Sequence, residues 1–319
     1  MHNTTAITGK LEHQTNCQWS CRVLRYACLI VGLVVAPNAS MLKAQTGAPN
    51  PDAQTLFSQI LEAQTLETQN SSPVSSPEAT AGSGITTDTT ESVASDVSFK
   101  NLPMHILRDQ KALWLFPVSL AQGKHWVPTI AIVGATAVLI VTDKHVMPYF
   151  RRTSSFDGFS DVFSGTSTGA VEVGVPAAFM LVGLLHHDSY ATQTALLAGE
   201  AYLDSAIPHV VIKLLSRRLR PSSVAPSADF SDTFFRSNVS PLGKGSSFPS
   251  GHAAGAFSIA TVIAQRYKSH RWVPFVAYGL AGVISFSRVP DLAHFPSDVF
   301  LGAALGYTIT RYDVFRTNP

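Results

Sequence analysis

The sequence predicts an all-α fold, a six-helix bundle, preceded by an export signal and a largely disordered linker. Three observations carry that prediction. Apolar segments rich in Gly, Ala and Leu recur six times after residue 100. No stretch of any length alternates apolar and polar residues as a half-buried strand does. Charged residues make up only 14% of the 319, against 45% hydrophobic, where soluble domains carry about 25% charge. That balance argues against a wholly disordered chain and against a highly charged nucleic-acid binder. The net charge of +2 gives little long-range steering, so function has to rest on a local site. The three cysteines are Cys17, Cys21 and Cys28. Nothing beyond residue 28 can therefore be a disulfide, a thiolate nucleophile or a Cys-ligated zinc.

Residues 1–43 read as a signal peptide or N-terminal anchor. Arg22 and Arg25 precede an apolar run over 26–36, and the small residues Ala39, Ser40 and Ala44 follow. The run is short for a spanning helix, and the order is that of a Sec-type signal. Residues 44–99 contain no Lys or Arg and seven acids, a net charge of −7, in a background of Ser, Thr, Ala, Gly and Pro. Such a segment buries too little apolar surface to offset its chain entropy, which predicts an acidic low-complexity linker.

Residues 100–319 are predicted to form the folded domain. Its apolar segments lie at 126–142, 171–185, 191–215, 251–267, 272–287 and 296–312. The first nearly satisfies the length and apolarity of a membrane span. Others carry acids, Glu172, Glu200, Asp204 and Asp298, which inside a bilayer face a bundle interior or a cavity. Both membrane spans around a polar site and the core of a soluble helical domain fit this pattern.

Three short blocks carry chemistry. In KLLSRRLRP (213–221), Lys213 and Arg220 stand seven apart, which on a helix places both on one face, with Pro221 ending the helix. Two such cations can clamp a phosphoryl group, although basic residues at a helix C-terminus also complement its dipole. Arg217 and Arg218 are expected to point away, towards solvent or headgroups. In SFPSGHAAG (247–255), Ser250 is an N-cap candidate and Gly251 allows close backbone approach at a helix N-terminus, a ready anion site. His252 beside it can donate a proton to a leaving oxygen; a capped helix start with an incidental histidine reads equally well. In SRVPDLAHFPSD (287–298), Arg288 is a third cation, Pro296 is suited to a first helical position and Asp298 falls in the first turn. A carboxylate four residues after His294 can accept its Nδ1–H and leave Nε2 as a nucleophile, the orienting logic of a triad; a capping acid beside a loop histidine would look the same.

Together the blocks resemble the three-part signature of the type 2 phosphatidic acid phosphatase and vanadium haloperoxidase superfamily, in its phosphatase branch. The resemblance covers the helical region, about residues 100–319, with its six-helix order, and no signature residue is missing. It implies that His294 attacks phosphorus and becomes a phosphohistidine, that Asp298 orients it, and that His252 protonates the leaving alkoxide and later activates water. It further implies that Lys213, Arg220 and Arg288, with the Ser250 hydroxyl and the Gly251 N–H, hold the phosphoryl oxygens. No HExxH, DxD-type cluster or Walker A loop is present, so the expectation is a metal-independent phosphatase with no cofactor, in which vanadate could bind as a phosphate mimic. The expected substrate is a phosphomonoester or a lipid phosphate or diphosphate. The expected location is the inner membrane facing the periplasm, or the periplasm itself. A vanadate-dependent haloperoxidase and an inactive membrane scaffold are the alternatives.

Weaker signals remain. His186, His187 and Asp188 form a metal-like tripeptide, but in a short inter-helix loop without distant partners. Glu200, Asp204 and His209 are expected to form a buried polar network near Lys213. Phe230, Phe234, Phe235 and Phe248, around the loop between the first two blocks, suit either a lipid tail or loop anchoring.

Overall fold

The computed structural model describes residues 98–163, 165–240 and 245–317. The predicted signal at 1–43 and nearly all of the predicted linker at 44–99 lie outside the described residues. Among those residues the secondary structure is helical, without strands. The elements are α1 (Leu102–Trp114), α2 (Phe116–Ala121), α3 (Trp126–Arg152), α4 (Asp157–Val162), α5 (Gly165–His186), α6 (Ser189–Ser216), α7 (Gly251–Arg266), α8 (Val273–Ser287) and α9 (Pro296–Ile309). A π-helical turn (Thr310–Val314) and a final turn α10 (Phe315–Thr317) close the chain.

The six apolar segments of the sequence correspond to α3 and α5–α9. The count of six is incomplete, because α1, α2 and α4 were not anticipated. Arg108, Asp109 and Lys111 mask α1 as a polar stretch, yet its inner face, His105, Asp109 and Gln110, is buried. The first apolar helix also runs ten residues past its predicted end, through Asp143 and Lys144 to Arg152. Asp143 is fully buried and belongs to the bundle interior, so its charge does not end the helix.

Helix ends follow local chemistry. The Asp188 side chain accepts hydrogen bonds from the backbone N–H groups of Tyr190 and Ala191 and so caps α6. This accounts for the acid of the His-His-Asp tripeptide as an N-cap. His186 and His187 are exposed. At the other end Arg217 takes a left-handed conformation with φ 40° and stops the helix.

α7 is the central element and packs against α6, α8 and α9. Its inner positions are small, Ala253, Ala254, Ala256, Ala260 and Ala264, all buried. The approach of α9 is closer still. A Cβ on Gly302 would lie 2.3 Å from the Ser250 carbonyl oxygen, and one on Gly306 would lie 2.1 Å from that of Ala254. Small residues four apart on one face are what permit such backbone contact. This seam carries the N-terminus of α7 directly onto the first turns of α9. Leu196, Leu197, Phe179, Ile259, Val262 and Ile284 fill the remaining core.

Three helices, α3, α5 and α6, are long and apolar enough to cross a membrane. In α3 only 11% of the most apolar 18-residue window is buried, and Val127, Val133, Val138 and Val141 lie open on its outer surface. An apolar face of that extent fits a hydrocarbon environment, as expected of a membrane protein. α7, with 16 residues, is shorter than a span and lies inside the bundle. Pro148, Pro176 and Pro208 interrupt the three long helices, each removing one backbone donor.

Candidate active site

The three sequence blocks meet at one end of the bundle. The first is built differently from its helical reading. Because Arg217 breaks α6, Arg220 does not share a helix face with Lys213. It stands beyond the helix in extended backbone, φ −75° and ψ 149°. Its Nη1 donates to the Ala293 carbonyl at 3.2 Å, beside His294. Lys213 stays on the last turn of α6, and its charge interacts with those of Arg220 and Asp298. The two cations therefore converge from a helix and a loop.

Arg218 is the larger correction. It was expected at the surface and is one of the most buried side chains described. Nη2 donates to Asp143 Oδ2 at 2.7 Å, Nη1 to Asp298 Oδ1 at 2.6 Å and to Ser297 Oγ at 2.7 Å, and Nε to Thr233 Oγ1 at 3.1 Å. The guanidinium lies 3.8 Å from the Phe295 ring centroid and 4.4 Å from that of Phe234. A planar fork between two rings, with donors committed to two carboxylates, is geometry that Arg supports and Lys does not. It also answers the question of the loop phenylalanines. Phe234 and Phe248 pack on each other, Phe230 packs on Phe295, and only Phe235 is strongly exposed. The first three are anchors of the loop around Arg218.

In the second block the expected cap is present. Ser250 caps α7 by accepting from the Ala253 N–H at 3.4 Å, and its own N–H donates to the Asp298 carbonyl at 2.9 Å. Gly251 keeps the backbone close to His209: a Cβ there would lie 3.0 Å from that ring, which would have to shift to admit it. His252 lies one residue on, with Nε2 3.2 Å from the Gly165 carbonyl oxygen. Arg288 reaches the same corner: its Nη2 donates to the Phe163 carbonyl, and its Nη1 lies 3.1 Å from where a Gly165 Cβ would be. The start of α5 thus joins the second and third blocks, a contact with no local sequence signal.

In the third block the backbone N–H groups of Ala293 and His294 both donate to the Arg288 carbonyl, which folds the loop back over Arg288. His294 is almost fully buried. Its Nδ1 is 2.7 Å from the Ser247 carbonyl oxygen and 3.6 Å from Asp298 Oδ2. The carboxylate therefore stands by as predicted, but the closer acceptor is a backbone carbonyl that the sequence did not suggest. Both acceptors lie on the Nδ1 side and direct the proton there, leaving Nε2 with its lone pair. Asp298 also accepts from the Phe295 N–H at 2.8 Å, within the first turn of α9.

Electrostatics fit this arrangement. Burial pushes His294 down to about 4, with Arg220 and Lys213 adding to the effect and Asp298 opposing it. Burial, then the Arg288 and His294 charges, pushes His252 down to about 3. Burial alone would raise the Asp298 carboxyl, but Arg218, His294 and the Phe295 N–H outweigh it and hold it below its ordinary value. At neutral pH the site therefore holds neutral imidazoles, ionised Asp298 and several cations.

The Glu200, Asp204 and His209 network divides in two. His209 faces Gly251 and lies within electrostatic reach of Lys213 and of the two site histidines. Glu200 and Asp204 turn instead towards α1, where Asp109 joins them.

The family model of the PAP2 superfamily matches residues 194–316, a span containing Lys213, Arg220, Ser250, Gly251, His252, Arg288, His294 and Asp298. A lipid A 1-phosphatase of Porphyromonas gingivalis is 39% identical over 64 residues, which is 20% of this chain; the match spans 14% of that protein's length. The crystal structure of a transmembrane PAP2-type phosphatidylglycerolphosphate phosphatase from Bacillus subtilis aligns over 66% of this chain and 95% of that one, at 20% identity and a TM-score of 0.35. The part of the chain that matches the PAP2 superfamily model, residues 194–316, holds all three blocks.

Proposed function

We propose that the protein is a phosphatase that hydrolyses a lipid phosphate or diphosphate, or a small phosphomonoester, through a phosphohistidine intermediate and without a catalytic metal. The observation that carries this reading is the setting of His294. Two acceptors occupy its Nδ1 side, Arg220 bonds the Ala293 carbonyl beside it, and the charges of Arg220 and Lys213 act on it while those of Arg288 and Lys213 act on His252.

Phosphoryl transfer is chiefly positioning and charge stabilisation. Lys213, Arg220 and Arg288, with the Gly251 N–H and the Ser250 hydroxyl, hold the phosphoryl oxygens. His294 Nε2 attacks phosphorus as the bond to the leaving oxygen breaks, and the departing alkoxide takes a proton from His252. Water then loses a proton to His252 and displaces the phosphoryl group from His294. Both imidazoles are neutral before substrate binds, so the proton on His252 arrives with substrate. A dianionic phosphoryl group offsets the nearby cations that, after burial, hold His252 down, and so favours its protonated form.

The apolar outer surface and the lipid A 1-phosphatase relative favour a lipid substrate, and the export signal read in residues 1–43 favours a periplasmic site. The test is a substrate panel on purified protein in detergent, without added divalent metal. Phosphate release from a lipid phosphate or diphosphate, or from a soluble phosphomonoester, is the expected result. No release from any of them, with folded protein, contradicts the reading.

A further inference from the structure

A second polar cluster lies deeper in the bundle, away from the phosphate site. Asp109 of α1 and Glu200 and Asp204 of α6 are all fully buried, and one carboxylate oxygen from each lies within 4.8 Å of the others. Asp204 and Lys213 are nine residues apart on α6, about 14 Å along the axis, so this cluster is distinct from the active site. Three buried carboxylates so close together cannot all be ionised without a compensating cation.

The surroundings point to a ligand rather than to mutual hydrogen bonding alone. Asp204 Oδ2 has no hydrogen-bond partner, nor do Gln110 Oε1 and His105 Nδ1, whose residues are 8% and 7% exposed. All three groups are at the cluster. Gln110 Nε2 donates to Asp204 Oδ1 at 3.0 Å, and His105 Nδ1 lies 3.5 Å from Glu200 Oε1. The backbone is opened here as well. Pro208 lacks the N–H that would bond the Asp204 carbonyl, and Gln110 Nε2 donates to that carbonyl at 3.1 Å. Carboxylates with an amide oxygen nearby are hard oxygen donors, suited to Mg²⁺, Mn²⁺ or Ca²⁺.

We propose that Asp109, Glu200 and Asp204 hold one divalent cation inside the bundle, and that this cation fastens α1 to α6. It contributes to folding rather than to phosphoryl transfer, since it bridges two helices and lies about two and a half turns from Lys213.

The experiment uses the full chain in detergent, stripped with chelator and titrated with Mn²⁺, with bound metal read by electron paramagnetic resonance and by elemental mass spectrometry. The expected result is one Mn²⁺ per chain, a melting temperature that falls on stripping and recovers with Mn²⁺, and at least a roughly tenfold loss of affinity in D204N or E200Q. Absence of bound Mn²⁺ in the wild type, or unchanged binding in folded D204N, overturns the proposal and leaves protonated carboxylates as the state of the cluster. If the variants do not fold, the wild-type titration alone still decides. Because the readouts are metal content and stability, failure here is separate from failure of the phosphatase assay.

Discussion

His294→Ala is expected to abolish phosphate release, lowering kcat by roughly 10³-fold or more, the loss that follows removal of a covalent nucleophile. The three cations and the α7 N-terminus remain, so KM should move far less than kcat. The measurement is steady-state release by wild type and variant at matched melting temperatures. In the wild type, rapid acid-free quenching with a phosphorus-labelled substrate should trap label on protein, and the variant should trap none. Undiminished turnover in His294→Ala would remove the phosphohistidine from the mechanism.

Arg218→Ala is expected to have the largest effect on stability. It leaves Asp143 and Asp298 as buried carboxylates without their shared cation, and stripping one partner from a buried pair costs about 3–5 kcal/mol. For a domain of this size that corresponds to a fall in Tm on the order of 10 °C. Arg218→Lys should recover only part of it, because an ammonium cannot reach both carboxylates while lying flat between Phe234 and Phe295. Thermal unfolding in detergent reads the effect. A Tm within about 2 °C of wild type would mean that the network of Asp143, Arg218 and Asp298 is dispensable. Asp298 touches both Arg218 and His294, so loss of the arginine should also disturb the orientation of His294.

What was legible in the sequence was local. Ser250 as a cap, Pro296 at the start of α9 and Asp298 four residues after His294 depend on neighbours along the chain, and short blocks can encode them. The six long apolar helices follow from composition in the same way. What was not legible depends on partners far apart. Arg218 looked like a surface charge because buried arginines are rare unless paired, and its partners lie 75 and 80 residues away. The break at Arg217 was hidden because nothing in KLLSRRLRP forces a left-handed residue, so Arg220 was assigned to a helix it does not belong to. The Ser247 carbonyl on His294 is a backbone group, to which no side-chain pattern points. Glu200 and Asp204 were recognised as buried, but their partner Asp109 sits on α1, whose charges concealed it.

The most direct test of the account is an experimental structure of the purified protein with orthovanadate bound. The account requires a single vanadium bonded to His294 Nε2, with its oxygens within hydrogen-bonding reach of Lys213, Arg220, Arg288 and the Gly251 N–H, and with His252 facing the opposite apical oxygen. Vanadate bound elsewhere, or held at that end of the bundle without a bond to His294, would contradict it.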